Sequence, residues 1–357
     1  MAFVLGGFQA GLTLSLLLWG LLTDRVGERF VIGVGMSAAA GAMAVASLTE
    51  SSAVFIAAMV VAGAVSASVV AASGRAVMAW FGPGERGLAL GIRQTSAMVG
   101  QGGAAAILPL VAAGAGLRVA LASLVGAALV AAAASVLWMR EPHTPQEEPP
   151  GFAGARSPLR DRQIWRISLG GGFLVITQHS LLGFVVLFLH HERGFSPGAA
   201  AGVLAAMSFA GAGLRIAVGY WSDRLGARLV PLRRVTVALA VALVLVTAAT
   251  AGPDALLVAA LIVAGMLSVA WNGLAFTAVA ELAGRARSGA ALGLQQTILG
   301  LMGAVTPVAY ALVVTTLSWR GAFAALLLCP LLALPLLREP AHATPAVVPE
   351  PLHPQAN

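Results

Sequence analysis

Gly20-Leu21-Leu22-Thr23-Asp24-Arg25-Val26-Gly27-Glu28-Arg29 decides how this chain is read, because the phrase is written twice. Its second copy is Gly219-Tyr220-Trp221-Ser222-Asp223-Arg224-Leu225-Gly226-Ala227-Arg228. Each copy follows a long apolar run and precedes another. The duplication is wider than this phrase. Ala89-Leu90-Gly91-Ile92-Arg93-Gln94-Thr95 is answered by Ala291-Leu292-Gly293-Leu294-Gln295-Gln296-Thr297, an offset of 202 from residue 89 to residue 291. Ala62-Gly63 and Ser66 return as Ala264-Gly265 and Ser268, and Leu117-Arg118 as Trp319-Arg320, at the same offset. Arg140-Glu141-Pro142 returns as Arg338-Glu339-Pro340 after 198 residues. Matches in one order at nearly one spacing mark an internal duplication of half the chain.

The 357 residues are 59% hydrophobic and only 10% charged, against about 25% charged in a soluble domain. The mean hydropathy is +0.90. Apolar runs repeatedly reach the roughly 20 residues that a helix needs to cross a bilayer. They do not alternate polar and apolar residues as barrel strands do. Their Ala and Gly content suits close helix–helix contact in lipid. The fold class is therefore an all-α membrane protein, and half-chain repeats in such a protein are a mark of transporters.

The net charge of +7 comes from 21 basic residues, all arginine. Roughly fifteen fall in one alternate set of loops and helix ends, whereas the opposite set holds Arg118, Arg193 and Arg320, as the positive-inside rule describes. This distribution argues against nucleic acid as a partner. It puts both Asp-Arg-x-Gly loops and the C-terminus in the cytoplasm, with the chain in the cytoplasmic (inner) membrane. Cys329 is alone, so there is no disulfide framework and no thiol-built metal cluster. The N-terminus lacks the basic region of a signal peptide.

Eleven spans are expected, near residues 3–22, 30–49, 53–79, 87–113, 118–139, 165–190, 199–221, 230–250, 254–281, 288–316 and 320–337. The N-terminal half is 1–140 and the C-terminal half 164–339. A polar, Pro-rich cytoplasmic linker, 141–163, joins them, and a Pro-rich tail, 340–357, is expected to be disordered. Five spans precede the linker and six follow it. The repeat partner of the span at 165–190 would fall before residue 1, so the first half is expected to lack its first helix, through a late start or a truncation.

With these loops and halves in view, the chain resembles the major facilitator superfamily. The family's loop signature, G-x-L-x-D-R-x-G-x-R, lies between its helices 2 and 3 and again between 8 and 9. Both copies quoted above match it, with Trp221 in place of Leu in the second. The resemblance covers nearly the whole chain. It implies two pseudo-symmetric six-helix halves, here about 11 helices beginning at the family's helix 2, and a site at the midplane between them. It also implies a gating role for the loop residues Gly20, Asp24, Arg25, Gly27, Arg29, Gly219, Asp223, Arg224, Gly226 and Arg228. In the residues themselves, Gly permits a tight turn, and Asp can accept from the free N–H groups of a neighbouring helix N-terminus. Arg can bridge to carboxylates, for which Glu281 and Glu85 stand at cytoplasmic helix ends. The plainer reading is that these residues fix topology and turn geometry.

No Asp or Glu lies mid-span. What lies inside is basic or amide-bearing. Arg93 is seven residues past Arg86, so about 10 Å deeper in the bilayer, where a charge should face a cavity or the bundle interior. Gln94 and Gln101 share a helix face beside it. Gln295 is the repeat counterpart of Arg93, with Gln296 after it. An Arg fork suits carboxylate or phosphate. Arg93 is therefore expected to bind an anionic substrate, assisted by Gln94, Gln101, Gln295 and Gln296; the alternative is a structural pairing with Glu85. Gln178-His179 and Asn272 are expected at similar depth. His179 could relay a proton, or it and Asn272 could make interhelical hydrogen bonds. Gln9 is a weaker cavity candidate. Arg75 and Arg215 lie nearer the cytoplasmic ends, where they can snorkel.

His190-His191-Glu192 lacks the spacing of a metal site. There is no phosphate-binding Gly-lysine loop, nucleophile elbow or metalloprotease motif. The expectation is a secondary active transporter of a small organic solute, anionic by preference, and not an enzyme. It needs no cofactor or metal and acts as a monomer in the lipid bilayer, with a proton as candidate coupling ion. Within that class the alternative is efflux of amphipathic drugs, which would tolerate loss of Arg93. Outside it, the alternative is a non-transporting sensor or an inactive remnant.

Overall fold

The computed structural model describes residues 2–139 and 157–338, and all regular structure among them is helical. Residues 140–156 of the linker and the tail from 339 lie outside the described residues. The first half holds α1 (Ala2–Val26), α2 (Glu28–Leu48), α3 (Ser52–Trp80), α4 (Arg86–Ala115) and α5 (Leu117–Trp138). The second holds α6 (Arg162–Arg193), α7 (Pro197–Leu225), α8 (Leu229–Ala249), α9 (Asp254–Ala283), α10 (Ser288–Leu326) and α11 (Leu328–Leu336). Eight stretches are long and apolar enough to cross a membrane, and the last of them, 285–336, contains the two final spans expected from sequence.

Local chemistry sets the helix ends. α6 begins three residues before its expected span because Asp161 caps it, accepting from Gln163 N at 2.7 Å and Ile164 N at 3.2 Å. α7 opens on Ser196, which accepts from Ala199 N, followed by Pro197 in the first turn. The corner between α4 and α5 is Gly116, at φ 88° and ψ 161°. The equivalent corner 202 residues on breaks α10 at Ser318, at φ 68° and ψ 167°. Both halves thus turn through the same backbone conformation, once with glycine and once without.

Small residues let the helices close on one another. A Cβ on Gly63 of α3 would lie 2.0 Å from Phe8 O of α1, and one on Gly11 would lie 2.1 Å from Val60 O. The larger apolar core is in the second half, around Leu174, Leu181 and Phe188 of α6 and Trp271 and Phe276 of α9. α6 packs on α7, α9, α10 and α11. It has no repeat counterpart among the described residues. The halves meet along two seams, α1 on α10 and α4 on α7, with α3 and α9 behind them.

Candidate functional site

Helices from both halves line a cavity of about 610 Å³. Arg93 and Gln94 enter it from α4, Ser73 and Val70 from α3, Gln9 and Thr13 from α1. The second half contributes Gln178 and His179 from α6, Arg215 from α7, Asn272 and Phe276 from α9, and Gln296 from α10. Its charged lining is two arginines, and no Asp or Glu is among the lining residues.

Arg93 is held on three edges by neutral oxygens. Its Nε donates to Ser73 Oγ at 2.9 Å and its Nη1 to Gln94 Oε1 at 2.6 Å, while Nη2 donates to Val70 O. An Arg has five N–H donors, so two remain for a ligand. Arg215 does not snorkel. It is 3% exposed and turns inward, giving Nε and Nη2 to Val269 O at 3.1 and 3.0 Å and Nη1 to Gln94 O at 3.1 Å. Gln178 Oε1 accepts from Asn272 Nδ2 at 3.1 Å, joining α6 to α9. His179 Nδ1 is 3.3 Å from Gly303 O. A carbonyl only accepts, so Nδ1 is the donor in this contact.

Arg93, Gln94, Gln178, His179, Asn272 and Gln296 thus share one cavity, together with Gln9. Gln295 does not. It is fully buried and off the lining, and neither its Oε1 nor its Nε2 finds a partner among the described residues. The reason is helical period: successive residues differ by about 100°, so Gln295 and Gln296 face different ways. The side chain of Gln101 lies outside the described residues. Arg215, read from sequence as able to snorkel, lines the cavity, and Ser73 is among the lining residues that the sequence reading did not name. Spacing placed Arg215 near a helix end, and nothing in it marked Ser73 as the partner of Arg93.

The two loop motifs join the halves at one set of helix ends. Asp24 on α1 accepts from Gly289 N at 2.9 Å and Ala290 N at 2.8 Å, capping α10 in the other half. Asp223 on α7 accepts from Gly87 N at 2.9 Å and Leu88 N at 2.7 Å, capping α4. Each carboxylate meets the unpaired amides and positive dipole of a helix start. Gly27 and Gly226 make the turns, with φ 84° and 59°. Gly20 and Gly219 serve close approach instead: an added Cβ would lie 2.3 Å from Gly289 O and 2.4 Å from Gly87 O.

The arginines of the motifs behave unequally. Arg228 pairs with Asp223 at 2.6 Å and with Glu281 at 2.9 Å, and also donates to Pro83 O across the seam. Its first-half counterpart Arg29 is exposed and unpaired among the described residues, because Ala79 stands where Glu281 would be repeated. Arg75 of α3 takes its place, pairing with Glu28 and lying 3.5 Å from Asp24. Arg25 is exposed and makes no ion pair among the described residues. Arg224 lies over the Tyr220 ring at 4.5 Å, and Glu85 is not an Arg93 partner. At this end, beyond the apolar span, burial raises the Asp24 carboxyl to about 6. The amides of Ala290 and Gly289 and the Arg75 charge oppose that rise. Burial works against the Arg228 cation, yet the Glu281 and Asp223 carboxylates outweigh it and hold its pKa above the usual value.

Residues 1–307 match the family model described as Major Facilitator Superfamily. An uncharacterized MFS-type transporter of Mycobacterium tuberculosis, Rv2994, is 36% identical over 330 residues, covering 92% of this chain and 74% of that protein. Among solved structures, the E. coli fucose:proton symporter FucP aligns with a TM-score of 0.74 at 15% identity, over 94% of this chain and 89% of its own. The human organic anion transporter MFSD10 aligns with a TM-score of 0.73 at 20% identity, over 94% and 83%. These two likenesses are likenesses of fold.

Proposed function

We propose a transport function from one premise: this chain belongs to the major facilitator superfamily. It is an integral membrane protein and a secondary transporter. The finer assignment is a small organic anion carried by alternating access about the cavity between the halves. The observation that carries it is Arg93, a guanidinium with neutral partners and spare donors in a cavity whose lining lacks a carboxylate. Desolvating an unpaired charge is expensive, so an anionic guest offsets what the empty cavity lacks. The arginine asymmetry supports a cytoplasmic position for the loop motifs and the C-terminus. A histidine changes charge near neutral pH, which supports His179 as the residue that would carry a coupling proton.

The test is thermal stabilisation of the purified protein by benzoate, succinate, inorganic phosphate, choline and mannitol. A ligand that binds the native state raises the melting temperature by linkage. At least one anion should do so in the wild type and fail in Arg93→Ala. A shift with choline or mannitol that survives Arg93→Ala would replace this reading with one of neutral or cationic amphiphiles.

A further inference from the structure

One residue supplies acceptor oxygens to both cavity arginines. Gln94 gives its side-chain Oε1 to Arg93 Nη1 at 2.6 Å and its main-chain oxygen to Arg215 Nη1 at 3.1 Å. The main-chain oxygen is fixed by α4. The side chain is not, and it reaches sideways to its own neighbour in sequence while lining the cavity. An amide oxygen is a neutral acceptor. A carboxylate or phosphate oxygen in its place would make a charge-assisted bond, roughly twice as strong. Ser73 and Val70 hold the other edges of the guanidinium, so the fork stays aimed when Gln94 leaves. Gln296 lines the cavity from the repeat-equivalent position on α10, but its neighbour is Gln295, not arginine. The arrangement therefore exists on one side only.

We propose that Gln94 is a tethered stand-in for the oxyanion of the substrate, holding Arg93 in the empty cavity and giving way when a carboxylate or phosphate takes Nη1. This rests on the anion reading of the cavity. It reverses the simple expectation that every polar lining residue adds affinity, because Gln94 competes for the donor the substrate needs.

Gln94→Glu tethers a true oxyanion at the same point, and Gln94→Met removes the competitor. The experiment compares melting of the wild type, Gln94→Glu, Gln94→Met and the Arg93→Gln/Gln94→Glu pair at pH 7.5, each with and without succinate and inorganic phosphate. Gln94→Glu should melt about 3 °C or more above wild type and should no longer respond to either anion. In the Arg93→Gln background the same carboxylate should lower the melting temperature, since it is then a charge without its partner. Gln94→Met loses the bond to Arg93 in the empty cavity, so it should melt slightly below wild type and bind the responding anion about fivefold more tightly, the worth of one hydrogen bond. Succinate and phosphate separate a carboxylate from a phosphate guest. If anions shift the wild type but Gln94→Glu gains nothing through Arg93, or Gln94→Met binds more weakly, the stand-in falls and the anion reading survives. If none of benzoate, succinate and phosphate shifts the wild type, the anion reading falls and takes the stand-in with it.

Discussion

Gln295→Met should make the folded transporter more stable. Gln295 is 0% exposed, and both ends of its amide are without a partner among the described residues. A buried polar group left unpaired costs about 1–3 kcal/mol. Methionine keeps the length and nearly the volume of glutamine while removing both polar atoms, and such swaps lose less than about 1.5 kcal/mol to imperfect fit. The net gain expected is about 1–2 kcal/mol, or a factor of about 5–30 in an equilibrium constant. Gln295 lies five residues past Ala290 on α10 and two past Gly293, whose added Cβ would lie 2.8 Å from Leu16 O of α1. Successive helix residues turn by about 100°, so the amide points away from α1, and its penalty belongs to the folded state and not to the α1–α10 seam. The assays are thermal melting and labelling of Ala290→Cys, in a Cys329→Ser background, by a bulky thiol reagent. Ala290 is 3% exposed when the seam is closed. Gln295→Met should raise the apparent melting temperature and leave the labelling unchanged. A lower melt would refute the reasoning by showing that the amide stabilises the fold.

The other predictions concern the seams and corners. Burial holds the Asp24 carboxyl near 6 against an ordinary value of 3.8. A closed seam that takes its proton more readily than an open one is favoured at low pH, and that advantage is lost as pH rises through about 6. Labelling of Ala290→Cys, corrected for thiol reactivity, should therefore rise from pH 5 to 7, and Asp24→Asn should flatten the rise. Gly20→Ala and Gly219→Ala should each speed labelling of their own seam at least tenfold, since the added carbon would lie 2.3 and 2.4 Å from a facing carbonyl. Gly213→Ala, with nothing within 4 Å, is the control. Ser318→Gly should raise the melting temperature: its φ of 68° and ψ of 167° lie where glycine alone is at ease, a strain of about 1–3 kcal/mol that the greater unfolded-state freedom of glycine only partly offsets. A lower melt would show that the Ser318 side chain stabilises the corner.

The spans were legible because they rest on period. Apolar runs fix which segments are helices, and the duplicated Gly-to-Arg phrase marked each Asp as a cap for a neighbouring helix start without saying which helix it would meet. The cavity was legible in depth but not in azimuth. A run such as Gln295-Gln296 reveals how deep two amides lie, yet which one faces the cavity depends on how α10 is rotated against its neighbours. Arg215 shows the same limit from the other side. Its position suggested an end that could reach water, whereas Val269 O and Gln94 O draw it inward. Partner choice was the least legible feature. Glu85 was a reasonable mate for Arg93 by sequence, but the fold supplies Ser73, Val70 and Gln94.

The duplication has kept its backbone and changed its charges, and the difference bears on how the seams hold. At both, an Asp caps a helix of the opposite half and a pair of glycines allows the approach. At the α1–α10 seam the ion pairs stay inside the first half: Arg75 reaches Asp24 and Glu28, so it aims the capping carboxylate without tying the halves together. At the α4–α7 seam Arg228 holds Asp223 and Glu281 and crosses to Pro83 O in the other half. Arg228 is therefore both the aim of its cap and a clasp between halves, whereas Arg75 is only the former. Among the described residues only the α4–α7 seam adds an arginine tie between the halves to its Asp cap, and the equal motifs in the sequence conceal that inequality, because Glu281, which helps to hold Arg228, has no acidic counterpart at Ala79.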